Sequence, residues 1–219
     1  MYSKFPVVPP DIFFKFKHSE INQHLPSKDL DQLSKLQDLL NSKRIHLLFG
    51  HYDVEIVLQE GDLRVTNLNS HGVMRTCAIV HFSSSIPDWL QETHNKIYKG
   101  GSIGQTIKEE GFSLTKKDSF LGVTELPEFA KLKMNTEEST AAVHIYQLVV
   151  SHSATTETVM YCTITEVHSP QYLTLGDLLY LTSASPEPYA ITGKVQQCLD
   201  ELSGLEQLLK HGVNILRSK

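Results

Sequence analysis

The sequence predicts an α+β domain in which an antiparallel sheet is flanked by helices. Two observations carry this prediction. Runs rich in β-branched and aromatic residues are joined by short turns, so neighbouring strands should pair as hairpins. Leucines recur at spacings of three and four residues within segments 27–41 and 194–216, which indicates amphipathic helices near both ends. A chain of 219 residues can bury a substantial core within one domain.

The chain divides into three predicted parts. Residues 1–26 form an irregular lead, residues 27–192 the main domain and residues 193–219 a C-terminal helix. The main domain should open with a helix over residues 27–41, whose start Ser27 can cap. The C-terminal helix is expected to pack on the domain or in a dimer, because its apolar residues share one face. They are Val195, Leu199, Leu202, Leu205 and Leu209.

Strands and short helices alternate between these ends. Strands are predicted within residues 53–68, 72–87 and 119–123, and as a long hairpin over 141–167. Helices are predicted over residues 88–98 and 102–110, and residues 125–134 form either a helix or an irregular crossing. Cys77 and Cys162 lie in strand-like runs among apolar neighbours. Their thiols should therefore be buried and slow to react.

Composition narrows the classes of protein. The net charge of −5 and the scattered basic residues argue against a nucleic-acid binder. Three widely spaced cysteines without a CxxC pair indicate reduced thiols in a cytoplasmic protein. No apolar run approaches the roughly 20 residues that span a membrane, and the N-terminus lacks the features of a signal peptide. None of the eleven histidines forms a known ligand motif, so no metal is predicted.

One stretch, GGSIGQTIKEEGF (residues 100–112), combines a short helix with several glycines. Gly111 stands where a left-handed C-terminal cap belongs. Ser102 and Gln105 have the spacing of a capping box, which would leave the amides of Ile103 and Gly104 free. A glycine at that position lets a ligand approach the backbone closely, and free amides attract anions. The alternative is a well-capped surface helix entered through a flexible loop.

Several short motifs follow one another in an order that resembles the chorismate pyruvate-lyase family. The same superfold includes the ligand-sensing domains of some transcription regulators. The motifs are Arg75, Ser85-Ile86-Pro87, Ser102-Ile103-Gly104 and Ile164-Thr165-Glu166 followed by Pro170. They extend the resemblance over residues 28–172. A chorismate lyase-like fold for the main domain is what this resemblance implies.

The resemblance also implies a reaction and a site. Chorismate lyases convert chorismate to 4-hydroxybenzoate and pyruvate, with no metal or redox cofactor required. Arg75 would clamp the ring carboxylate, and the amides of Ile103 and Gly104 would form a second anion site. Glu166 would face the ring oxygen or the leaving group as a carboxyl of raised pKa. Catalysis would come from positioning and charge stabilisation.

The same residues permit other interpretations. Arg75 can be an exposed cross-strand partner, and Glu166 can be the solvent-facing member of an alternating strand. Three functions therefore stay open. The protein is an enzyme of the chorismate lyase type acting on chorismate or a related small aromatic carboxylate. Otherwise it is a non-catalytic binder of small carboxylates, or a protein-interaction module whose C-terminal helix docks a partner or a second copy.

Overall fold

The computed structural model describes residues 25–152, 155–182 and 193–202, together with residues 204, 206 and 209. Nearly all of the predicted lead at residues 1–26, and the end of the predicted C-terminal helix, lie outside this part of the chain. Leu205 of the predicted apolar stripe also lies outside it.

Six antiparallel strands form one sheet in the order β1-β2-β3-β6-β5-β4. The strands are β1 (Asp53–Glu60), β2 (Leu63–Ser70), β3 (Val73–Phe82), β4 (Ser113–Glu125), β5 (Thr140–Ser151) and β6 (Thr158–His168). The described helices are α1 (Leu30–Leu36), α2 (Asn41–Phe49), α3 (Asp88–Tyr98), α4 (Ile103–Glu109), α5 (Glu128–Met134), α6 (Leu175–Leu181) and α7 (Gly193–Leu202). The predicted α+β class, an antiparallel sheet flanked by helices, is confirmed. None of the described helices combines the length and apolarity needed to cross a bilayer.

Helices cover both faces of the sheet. On one face, α5 and α7 pack in a single core with alternate residues of the central strands. The predicted burial of Val195, Leu199, Leu202 and Leu209 is confirmed, and Cys198 is buried beside them. His81 of β3 and Glu201 of α7 add a polar contact of 2.6 Å. The described apolar stripe of α7 therefore faces its own domain.

The opposite face carries the remaining helices and encloses the candidate site. Helices α3 and α4 cover one part of this face, and α1, α2 and α6 cover the other. Cys77 and Cys162 are both buried, as predicted, on opposite faces of the sheet. Burial raises the pKa of the Cys77 thiol to about 12, with the Glu55 charge adding to the shift.

The single helix predicted over residues 27–41 is wrong, because the chain turns between α1 and α2. Asp29 caps α1 by accepting the Gln32 amide at 2.7 Å. The Arg44 side chain donates to the Leu36 carbonyl at 2.8 Å and so satisfies the end of α1. Leu40, placed in that helix by its spacing, is instead the N-cap residue of α2. The continuous leucine spacing hid this turn.

The predicted cap by Ser27 is wrong, because Ser27 donates instead to Asp177 in the first turn of α6, a helix that was not predicted from the sequence. Thr174 and Asp177 form a capping box at the start of α6. The Asp177 carboxylate, which is fully buried, also accepts from the Ser27 amide at 2.8 Å and from its hydroxyl at 2.7 Å. Burial by itself would raise the Asp177 pKa, but these bonds and the Lys28 ammonium lower it overall. A buried carboxylate thus ties the segment before α1 to α6.

Strand β4 is longer than its predicted core at residues 119–123. It runs over 13 residues at a sheet edge, and its first half alternates exposed and half-buried side chains. Lys116 is one of the half-buried residues, on the face that carries α4. The segment after β4 is helical, as α5, rather than an irregular crossing.

Candidate functional site

Helix α4 lies where the sequence predicted it, between Gly101 and Gly111. Its C-terminal cap agrees with the prediction, but its N-terminal cap does not. Gly111 adopts the left-handed conformation, and Phe112 donates its amide back to the Ile107 carbonyl, so the C-terminal cap is confirmed. The capping box is wrong, because the Ser102 side chain makes no cap hydrogen bond. Gln105 donates instead to Glu109 at 2.7 Å, one turn along the same helix.

Close packing explains the glycine before α4, Gly101, and the glycine in its first turn, Gly104. A Cβ at Gly101 would lie 2.9 Å from the Lys96 carbonyl oxygen, a contact that backbone atoms cannot relieve. A Cβ at Gly104 would lie 2.7 Å from a methyl group of Leu40. Gly104 therefore allows α4 and the start of α2 to approach each other closely. A small cavity remains beneath this contact.

We call this space the inner cavity. It has a volume of about 100 Å³ and lies between α2, α4 and the sheet. Ile103, Gly104 and Glu166, three of the four predicted site residues, line it together. Much of the remaining wall is aliphatic, and includes Leu40, Val80, Leu148 and Ile164.

Arg75, the fourth predicted site residue, does not line the inner cavity. A register shift between β2 and β3 leaves it unpaired with β2, since Met74 faces Asn69 and Thr76 faces Leu68. Its guanidinium lies 3.9 Å from the centre of the Phe49 ring, and the side chain is buried. Arg75 is therefore neither a clamp in this cavity nor an exposed cross-strand partner.

Arg64 of β2 lines the cavity where the prediction had placed Arg75. It is 2% exposed, and its Nη1 donates to the Ile97 carbonyl at 2.8 Å and the Gly101 carbonyl at 3.1 Å. Its Nε is buried and has no hydrogen-bond partner in the described ranges. Within the described part of the chain, no carboxylate forms an ion pair with Arg64. Burial lowers the pKa of this guanidinium, which still stays charged at neutral pH.

Glu166 is held in a buried hydrogen-bond network rather than facing solvent. Asn41 donates to its Oε1 at 2.9 Å, and Tyr172 donates to the Asn41 side-chain oxygen at 2.6 Å. Burial by itself would raise the Glu166 pKa, but Lys116, His168, His144 and the Asn41 amide together lower it. The predicted raised pKa is wrong, and Glu166 is an anion at neutral pH.

Two buried histidines flank Glu166 on the same face of the sheet. His144 pairs with it across β5 and β6, and its Nε2 lies 2.7 Å from the Asp118 carboxylate. His168 follows two residues after Glu166, and its Nδ1 lies 3.0 Å from the Thr76 hydroxyl. Burial lowers the pKa of His144, and that of His168 falls to about 3. Both rings are neutral at pH 7.

Lys116 stands between the inner cavity and a second one, which we call the outer cavity. The outer cavity has a volume of about 400 Å³ and shares Leu40, Lys116 and Leu148 with the inner one. The Lys116 ammonium lies 4.3 Å from the centre of the Tyr146 ring. His144 and Asp118 also line the outer cavity, so its wall is more polar.

The sequence analysis missed Arg64, Lys116, Asn41 and His168. Arg64 and Lys116 sit in alternating strands, where a basic residue usually faces solvent. Asn41 is the first residue of α2, and an asparagine at the start of a helix is usually interpreted as a capping residue. Strand pairing across the sheet brings Arg64 of β2 and Lys116 of β4 near Glu166, and the packing of α2 on the sheet brings Asn41 to it. No protein-family model matches the chain, and no curated protein matches it significantly.

Proposed function

We propose that this protein binds a small aromatic carboxylate in the inner cavity, with the carboxylate against Arg64 and the ring against the aliphatic wall. The observation that carries the proposal is a buried arginine that has no anionic partner among the described residues, in a cavity whose wall is mostly aliphatic apart from polar groups that include Lys116 and Glu166. Burying a charge without a counter-charge is unfavourable, and a ligand carboxylate would supply both the charge and an acceptor for Nε.

The size of the inner cavity supports a single ring. An engineered apolar cavity of about 150 Å³ binds benzene, so a space of this order suits one aromatic ring rather than a larger cofactor. Groups attached to the ring can extend past Lys116 into the outer cavity. Ile103 and Gly104 belong to the cavity wall beside Leu40 in this arrangement.

Glu166 supports a hydroxyl group on the ring. As an anion it accepts hydrogen bonds, and a carboxylate offers about four acceptor positions, more than Asn41 and the Tyr146 hydroxyl use. A phenolic hydroxyl directed at Glu166 would form a charge-assisted hydrogen bond. 4-Hydroxybenzoate, with its carboxylate and hydroxyl at opposite ends of one ring, is therefore the first ligand to test.

Binding can be tested by calorimetric and thermal-shift titration in the presence of a metal chelator. Wild type should bind 4-hydroxybenzoate more tightly than benzoate, and should not bind 4-hydroxybenzyl alcohol, which lacks the carboxylate. Arg64→Lys keeps a charge but loses the planar fork, and should weaken binding by roughly tenfold to a hundredfold. Arg75→Ala, a buried arginine outside the cavity, is the matched control and should bind normally.

If Arg64→Lys binds normally and Arg75→Ala does not, the carboxylate site lies at Arg75 instead. Wild-type protein that binds none of these acids would refute the proposal and favour the protein-interaction function. In that case the surface for a partner has to be sought away from the buried stripe of α7.

A lyase activity is the second candidate, and the presence of an arginine and Glu166 in one cavity favours it. In the lyase reaction the ether bond between the ring and the enolpyruvyl group breaks. The ring gives up one proton as it becomes aromatic, and the departing enolpyruvate gains one to become pyruvate. An ionised Glu166 would orient the ring hydroxyl rather than donate a proton.

Purified protein incubated with chorismate should release 4-hydroxybenzoate and pyruvate in equal amounts, and Glu166→Gln should reduce the rate of that release. Binding of 4-hydroxybenzoate without turnover of chorismate would leave a non-catalytic binder.

A further inference from the structure

We propose that His144, Glu166 and His168 form a binding site for one divalent transition-metal ion, with Zn²⁺ as the ion to test. These three side chains are buried, and each offers a ligand atom within 4.8 Å of the others. Two imidazoles and a carboxylate are a ligand set that Zn²⁺ and similar ions accept, with further positions left for water or substrate. The inference shares Glu166 with the proposed function but does not depend on it.

The ligand atom of His168 provides an independent observation. The residue is only 1% exposed, and its Nε2 is buried with no hydrogen-bond partner among the described residues. This atom lies 3.6 Å from Glu166 Oε2. In a tetrahedral site with bonds of about 2.1 Å, ligand atoms lie about 3.4 Å apart. His168 and Glu166 therefore already stand close to the separation that a shared metal ion requires.

Each proposed ligand is also oriented through its other polar atom. Thr76 contacts Nδ1 of His168 at 3.0 Å, which leaves Nε2 for the metal. Asp118 contacts Nε2 of His144 at 2.7 Å, which leaves its Nδ1. Glu166 accepts from Asn41 at its Oε1 and also hydrogen-bonds the Tyr146 hydroxyl, and its Oε2 faces His168 Nε2 at 3.6 Å. Metal-binding histidines in proteins are held in the same way by carboxylates and other acceptors.

The site has a route of entry, along which three basic side chains, those of Arg44, Lys108 and Lys116, oppose a cation. His144 and Asp118 line the outer cavity, so an ion can reach the cluster from that side. The Lys116 ammonium, which lies on the wall of both cavities, repels a cation. The remaining adjustment is small, because ligand atoms up to 4.8 Å apart must approach by at most about 1.4 Å to reach bonding separation.

The experiment is a Zn²⁺ titration of chelator-treated full-length protein without any organic acid, followed by metal analysis of the dialysed protein. Wild type should retain one Zn²⁺ per chain, and Co²⁺ in its place should give the visible absorption of a low-coordinate site. His168→Gln and His144→Gln should each lose that ion. His94→Gln is the matched control, since His94 lies outside the cluster with its Nδ1 2.9 Å from the Tyr161 hydroxyl, and it should keep the ion.

Two further variants protect the test against unfolding. Thr76→Val leaves all three ligands in place and should weaken Zn²⁺ binding by about 10- to 100-fold. Lys116→Met removes one repelling charge and should tighten Zn²⁺ binding, whereas it should not strengthen binding of 4-hydroxybenzoate. Circular dichroism checks that each variant is folded.

Wild type that binds no Zn²⁺, or His168→Gln that is folded and keeps it, would overturn the proposal. Unchanged affinity in Thr76→Val would do the same. These outcomes leave the carboxylate proposal untouched, because the titrations with organic acids contain chelator. Conversely, a protein that binds Zn²⁺ at this cluster but no aromatic acid supports the metal site alone.

Discussion

Replacing Asn41 with alanine tests whether the buried network around Glu166 contributes strongly to stability. The Asn41 amide donates to the Glu166 carboxylate at 2.9 Å and to the Thr76 hydroxyl at 3.3 Å, and its oxygen accepts from Tyr172 at 2.6 Å. The bond to the carboxylate contributes about 1.5–3 kcal/mol, and each neutral bond about 1 kcal/mol or less. Asn41→Ala leaves these buried partners without Asn41, so the expected loss is roughly 3–5 kcal/mol. For a chain of this size, that corresponds to a fall in Tm of roughly 10 °C.

Asn67→Ala is the matched control. Asn67 is also a buried asparagine, but it makes one side-chain hydrogen bond, to Glu55 at 3.0 Å, on the other face of the sheet. Because the Glu55 carboxylate is only half-buried, this bond lies at the lower end of the range for charged acceptors, and its loss should be about 1.5 kcal/mol. Urea unfolding followed by circular dichroism, in the presence of chelator, measures both changes. Equal losses for the two variants, or a loss below about 1.5 kcal/mol for Asn41→Ala, would refute the role assigned to the network.

Three other predictions follow from single contacts. Gly104→Ala should push the Leu40 side chain into the inner cavity and so weaken 4-hydroxybenzoate binding. Adding Leu40→Ala should restore part of the affinity in the same titration, and a double variant with no restored affinity would contradict this packing. Asp177→Asn should cost about 2 kcal/mol at neutral pH. The folded-state pKa of Asp177 is lowered, so the stability it contributes is present above the unfolded pKa and is lost as the pH falls through the folded pKa. In urea unfolding, the free energies of unfolding of wild type and Asp177→Asn should therefore converge in acid. A constant difference down to that pH would contradict this prediction. Cys77 and Cys162, with raised pKa values and buried side chains, should react slowly with a thiol reagent in the native protein and rapidly in urea, and rapid native labelling would contradict the described strands.

Local patterns in the sequence determined the class of the fold. The β-branched runs and short turns specified hairpins, because adjacent antiparallel strands need only a short connection and a matching alternation. The apolar stripe of the C-terminal helix and the glycine that ends α4 were also readable, since both depend on neighbours within a few residues. The boundary between α1 and α2 was not readable, because Arg44 closes the first helix from beyond the turn.

The candidate site was decided by tertiary structure. Sequence order alone favoured Arg75, and a register shift in β3 places it beside Phe49, away from the inner cavity. Arg64 lines that cavity because β2 pairs with β3, although its position in the sequence resembles that of any strand arginine. The ionised state of Glu166 likewise depends on Lys116, which lies two strands away in the sheet and 50 residues earlier in the chain. Charges and hydrogen bonds act over distances in space, so a pattern of residues along the chain cannot fix them before the strands are paired.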